Sequence, residues 1–189
     1  MLSKGSLEDR VKAEDDLHEK IIALVSAIYE QSVDGRFNVD TKQWETQVKH
    51  GNFEIKILHP TGKDYVDIAY VFELNDEAKS ILMRSVRGIV ESRKFEHGLR
   101  SVLTFPDTFY FIQTMISEAG DTIPRGFVIG GTLFPFTGEL SIDNLSKAIQ
   151  DVATVSALGI SFFGLKLTSY SAFMDFLKEL NSSPEGMYR

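Results

Sequence analysis

The chain of 189 residues contains no cysteine. That excludes disulfides, thiolate zinc sites, iron–sulfur clusters and cysteine nucleophiles together, and it is compatible with a reducing compartment. Positive charge is the minority sign: 20 Lys and Arg stand against 27 Asp and Glu, a net charge of −7. An acidic surface repels phosphate backbones, so nucleic acid is not expected as a partner. Long apolar runs are missing too. Gly126–Phe136 and Val155–Leu165 are each about half of the roughly 20 residues that cross a bilayer, so no membrane partner is expected. Met1–Arg10 is polar and lacks the apolar stretch of a secretory signal. The expected location is therefore cytoplasmic.

What is present is ordinary for a globular domain. The hydrophobic fraction is 43% and the charged fraction 25%, so a core can form without a disulfide or a metal. The expected organisation is a flexible 1–12, a single α+β domain over 13–167, an appended amphipathic helix over 168–181 and a flexible tail over 182–189.

Periodicity supplies the elements. Leu17, Ile21, Leu24, Val25 and Ile28 share one face, which predicts a helix over 14–33 stopped by Asp34-Gly35. Three alternating strands follow, around Trp44–Val48, Phe53–Ile57 and Val66–Phe72, with His59–Asp64 as turn chemistry. Asn75 or Asp76 caps a second helix whose stripe is Ile81, Leu82, Ser85, Val86, Ile89 and Val90, ended by Gly98. Leu99–Phe105 reads as a short strand. Phe109–Ile116 is a strand apolar on both faces, with Phe109, Phe111 and Met115 on one side. Such a strand is central or covered by a partner. Phe127–Phe134 is a further strand, and its Gly130-Gly131 pair suggests a bulge or a close backbone approach. Ser141 opens a third helix expected to end before Gly159. A last helix near Ser169–Leu180 gathers Tyr170, Phe173, Met174, Leu177 and Leu180. The order is α-β-β-β-α-β-β-α plus one helix, which indicates α+β with a mostly antiparallel sheet packed by helices.

No motif for chemistry stands out. Thr61-Gly62-Lys63-Asp64 has the Gly-Lys pair of a phosphate loop but lies between two strands, where a hairpin turn accounts for it. Gly126, Gly130 and Gly131 lack dinucleotide spacing. His18, His50, His59 and His97 show no helical metal-ligand spacing and read as solvated turn residues. G-x-S-x-G is absent. Arg84, Arg87, Arg93, Lys94 and Arg100 form the one basic concentration, interrupted by Glu91, and read as a solvated helix face. No catalytic, metal or cofactor residue is assigned, and no cofactor is expected.

The run Phe53-Glu54-Ile55-Lys56-Ile57-Leu58-His59-Pro60-Thr61-Gly62-Lys63-Asp64, then Val66-Asp67-Ile68, then the Ile81–Val90 helix, resembles a mainly archaeal, uncharacterised domain family with the type III secretion chaperone-like fold. The likeness covers Trp44 through Phe163. It implies a homodimer that binds extended, unfolded segments of partner proteins along apolar grooves. It carries over no catalytic residue.

Two expectations follow. The first is a non-enzymatic, dimeric, chaperone-like protein-binding module, with Phe109, Phe111, Met115, Tyr170, Phe173, Met174 and Leu177 as partner or dimer surface. The alternative is a small ligand-binding domain or enzyme with a polar pocket near the 59–67 hairpin, built on His59, Asp64 and Asp67.

Overall fold

The computed structural model describes residues 7–86 and 88–182, with side chains for 9–86, 88 and 90–168. The first helix, α1, spans Leu7–Tyr29. It starts earlier than the apolar stripe because Glu, Asp, Arg, Lys and Ala precede Leu17, and most of these are good helix formers. It stops at Glu30, which takes φ +50°, so Asp34-Gly35 is not its terminator.

Gly35 instead opens a strand absent from the sequence reading, β1 (Gly35–Asn38). A Cβ on Gly35 would sit 2.1 Å from the Trp44 indole, so only glycine lets that ring lie against the backbone. The turn after β1 closes on Asn38 Oδ1, which accepts from the Asp40 and Thr41 amides. Then come β2 (Gln43–His50), β3 (Phe53–Pro60) and β4 (Val66–Glu73). They pair antiparallel, with Ile57 opposite Ile68 and Trp44 opposite His59.

The expected long second helix is two helices, α2 (Asp76–Ser85) and α3 (Ile89–Leu103). The break includes Val86 and Gly88; Gly88 takes φ +90° and its amide donates to Asp121 Oδ2 at 2.8 Å. Beyond the break α3 runs straight through Gly98, so the expected strand at Leu99–Phe105 is helix as far as Leu103. Phe95, Leu99 and Leu103, all buried, form one stripe at a spacing of four. At α2, Asn75 Oδ1 accepts from the Ala78 amide at 2.8 Å. Asn75→Ala should therefore cost about 1 kcal/mol in urea denaturation.

The chain continues with β5 (Phe109–Ile116) and β6 (Thr122–Leu133), then a 3-10 turn at Pro135–Thr137 and α4 (Ile142–Ser182). The six strands form one antiparallel sheet in the order β1-β2-β3-β4-β6-β5. With four α-helices among the described residues, the architecture is α+β, as the element order indicates. Ser141 caps α4, its Oγ accepting from the Asn144 amide at 3.2 Å. α4 does not end before Gly159. It absorbs both the third helix and the appended one.

The chain divides into two compact units. One comprises Met1–Tyr70, Phe105–Tyr110 and Val128–Ser156; the other comprises Val71–Thr104, Phe111–Phe127 and Ala157–Arg189. The core of the first includes Ile21, Val25, Val48, Ile55, Ile57, Ile68, Ile129, Leu145, Ile149 and Val152. That of the second includes Leu82, Phe95, Leu99, Leu103, Ile123, Phe127 and Phe163. By length and composition Ile142–Thr168 could cross a membrane, which the short runs in the sequence hide because Gln150, Asp151 and Lys147 interrupt them. Of its apolar window 39% is buried inside the protein: Leu145, Ile149, Val152 and Phe163 are buried, while Leu158 and Leu165 are exposed, so the helix is packed on one face only.

Candidate functional site

The strongest candidate grows out of β5. Its sequence, FYFIQTMI, is rich in aromatic and branched residues and suits a strand. Its position is an edge, because the sheet order ends there. An edge strand presents a row of unpaired N–H and C=O groups, and proteins usually blunt it with charge, proline or short length. The opposite edge follows that rule: β1 has four residues and carries Arg36. β5 has eight residues and neither a charge nor a proline.

Its side chains are correspondingly open. Phe111 is 65% exposed and Ile116 61%, and Phe109 is also exposed. The alternation reverses at Ile112 and Gln113, both half-buried. For that reason Met115 does not continue the Phe109–Phe111 face. It is half-buried, and Ile116 stands out in its place. The strand is thus not central, and among the described residues it leaves Phe109, Phe111 and Ile116 exposed. The side chains of Tyr170, Phe173, Met174 and Leu177 lie outside the described residues; only the helical backbone that carries them is described.

The structure places His59 and Asp67 of the 59–67 hairpin on opposite faces of the sheet. His59 follows Ile55 and Ile57 on the core face of β3 and is buried. Asp67 pairs with Leu58 and so faces the other side of the sheet, where it accepts from Thr132 Oγ1 at 2.7 Å. Asp64 is exposed. His59 is instead part of a different cluster. His18 Nε2 lies 2.9 Å from His59 Nδ1, and the His18 ring stacks on Trp44 at 4.5 Å and 3°. His50 sits between Tyr29 Oη and Gln150 Oε1, at 3.0 Å from each. The reading of these histidines as solvated turn residues therefore fails for His59. A sequence signal existed: alternation places His59 in phase with Ile55 and Ile57, and His18 is adjacent to Leu17 and one turn before Ile21. Burial holds the His18 imidazole below its ordinary value of 6.5, and His59 adds to this, while Glu14 and Asp15 oppose it.

One groove of about 640 Å³ opens in the first unit among Asp107, Phe109, Thr132, Glu139, Lys147 and Asp151. Its charges serve one another. Lys147 Nζ contacts Asp151 at 2.8 Å and Asp107 at 3.4 Å, and Glu139 Oε2 accepts from the Phe134 amide at 3.0 Å. Among the basic residues, Arg84 lies 3.9 Å from Glu118 and Arg100 pairs with Glu96 at 2.7 Å, while Arg87 is outside the described residues. No group of three His, Asp or Glu that could hold a metal ion occurs among the described residues.

Comparison with known proteins yields a fold neighbour. The chain is similar in structure to an uncharacterised protein from Methanothermobacter thermautotrophicus, at TM-score 0.63 and 17% identity, over 79% of this chain and 98% of that one. At this identity the likeness concerns the fold alone. No family model matches the sequence, and no curated protein matches it.

Proposed function

We propose that this protein is a non-enzymatic, chaperone-like protein-binding module that works as a homodimer joined at the β5 edge. The observation that carries this reading is an eight-residue edge strand without charge or proline that exposes Phe111 and Ile116. Such an edge takes a further strand: main-chain hydrogen bonds complete the ladder and apolar side chains cover one another. A second copy suits it for an electrostatic reason. Two chains of net charge −7 repel at most of their surface, and β5 is an uncharged stretch where they can meet. An extended segment of another protein would use the same edge once the copies part.

Sedimentation velocity and light scattering test the reading. The native chain is expected to be a dimer at micromolar concentration. The double variant Phe111→Asp/Ile116→Asp places like charges at the seam, which costs several kcal/mol and weakens dimerisation by about a hundredfold or more. Far-UV circular dichroism should be unchanged, since both side chains are exposed. A native monomer at about 100 μM, or a double variant that still dimerises as the native chain does, sinks the proposal.

A further inference from the structure

Apart from the Tyr110 hydroxyl, the polar side chains of β5 are Gln113 and Thr114. Thr114 is exposed and solvated, but Gln113 is half-buried. Its Oε1 is buried and has no hydrogen-bond partner among the described residues. An acceptor stripped of water and left without a donor is costly, and native proteins rarely keep one. The amide lies over Gly126 of β6, where a Cβ would come within 3.1 Å of Oε1. Gln113 also stands in the middle of the strand, which runs from Phe109 to Ile116.

A primary amide is self-complementary. Nε2 donates and Oε1 accepts, so two such groups set face to face form two reciprocal bonds. A strand that pairs antiparallel with a second copy of itself places the residue on the two-fold axis opposite its own image. We propose that Gln113 is that residue and sets the register of the β5 pair, its amide turning from Gly126 to meet the Gln113 amide of the second copy. This rests on the reading of β5 as a homodimer seam. With the axis through Gln113, Ile112 faces Thr114 of the second copy and Phe111 faces its Met115. The oxygen left without a donor in one chain finds its donor at the seam.

The other side chains of the strand supply little register. Phe111, Ile112, Met115 and Ile116 are all large and apolar, so shifted pairings bury similar surface. A slip of one residue turns every side chain to the other face, but a slip of two keeps the faces and moves the axis to residue 112 or 114. There the Gln113 amide meets Phe111 or Met115 of the second copy, and its oxygen stays unpaired in an apolar seam. One polar side chain thus selects among pairings that apolar contact leaves close in energy, as a lone asparagine does in a coiled coil.

The chain has no cysteine, so introduced thiols read the register without interference. Ile112→Cys and Thr114→Cys chains, one of them labelled with nitrogen-15, are mixed in equal amounts and oxidised. With the axis at Gln113, position 112 of one chain lies opposite 114 of the other, at the roughly 5 Å Cα separation that a disulfide spans. Like positions are about 8 Å apart and do not close. Mass spectrometry should therefore show mixed disulfides at least about tenfold over like ones. In a Gln113→Leu background like pairs should rise to a comparable yield, while the dimer dissociation constant stays within about tenfold. Gln113→Glu sets two carboxylates on the axis and should weaken dimerisation at pH 7.5 at least about tenfold. The rival is internal: Arg125 Nε, which also lacks a partner among the described residues, or a trapped water answers the oxygen within one chain. The ratio of mixed to like disulfides is then the same with glutamine and with leucine, and that result overturns the proposal. So do like pairs in excess in the chain that keeps Gln113. If Gln113→Leu does not fold, Gln113→Met takes its place. A dimer whose register ignores residue 113 leaves the seam standing and removes only this inference; a monomer in sedimentation removes both.

Discussion

Phe163→Ala should lower the stability of the chain by about 3–5 kcal/mol, read as a reduced urea midpoint with an unchanged slope. Phe163 is 1% exposed. Its ring stands 5.3 Å from Phe72, 6.3 Å from Phe127, and 5.5 Å from Phe95 at 90°, an edge-to-face contact. Phe72 and Phe127 also lie 5.2 Å apart, so the deletion empties the middle of an aromatic cluster from four different elements of the second unit. These rings are held by one another, and collapse into the gap would require several to leave their rotamers together. The loss is a large share of the roughly 5–15 kcal/mol typical of a whole domain. Leu158→Ala, on the same helix but half exposed, should change stability by about 0.5 kcal/mol or less. Equal effects of the two would show that the cluster is not the core of that unit.

The cluster also shows where sequence reading succeeds. Alternation and helical stripes located β2, β3, β4 and β5, and the α+β order, because each of these elements buries one face and exposes another. The misplacements trace to glycine. Gly98 and Gly159 look like helix stops, yet both lie inside helices. A Cβ on Gly98 would meet the Phe162 ring at 2.8 Å, and one on Gly159 the Phe127 ring at 2.6 Å. In each case glycine makes room for an aromatic ring from a distant segment, which no local pattern reveals. The true break, at Gly88, falls inside what reads as a continuous stripe, because its cause is a positive φ and a bond to Asp121, 33 residues away. The edge position of β5 was equally hidden. Composition shows a strand apolar on both sides, but only the sheet order distinguishes a covered strand from an exposed one. The histidine ties were half legible: phase placed His59 inward, while its pairing with His18, 41 residues away, was not readable from spacing.

A glycine also governs the second large effect. Gly126→Ala is expected to cost about 3 kcal/mol or more, at the upper end for overpacking. The added Cβ would lie 2.3 Å from the Phe72 carbonyl oxygen and 3.0 Å from the Glu73 Cα. Both are backbone atoms of β4, so no rotamer change relieves the contact. The strands must part, and the Leu74 amide bond to the Arg125 carbonyl, 3.0 Å long, is the first to suffer. The same Cβ would press on Gln113 Oε1 at 3.1 Å, a buried oxygen with no hydrogen-bond partner among the described residues. Gly131→Ala is the matched control in the same strand. Its nearest neighbour would be the Asp107 oxygen at 3.6 Å, an ordinary contact. There alanine reduces the freedom of the unfolded chain without strain, and stability should rise by about 0.5 kcal/mol. Opposite signs at two glycines five residues apart, measured in one denaturation series, would separate the close β4–β6 approach at Gly126 from the roomier ladder beyond it. A Gly126→Ala variant as stable as the native chain would mean that β4 and β6 do not approach this closely.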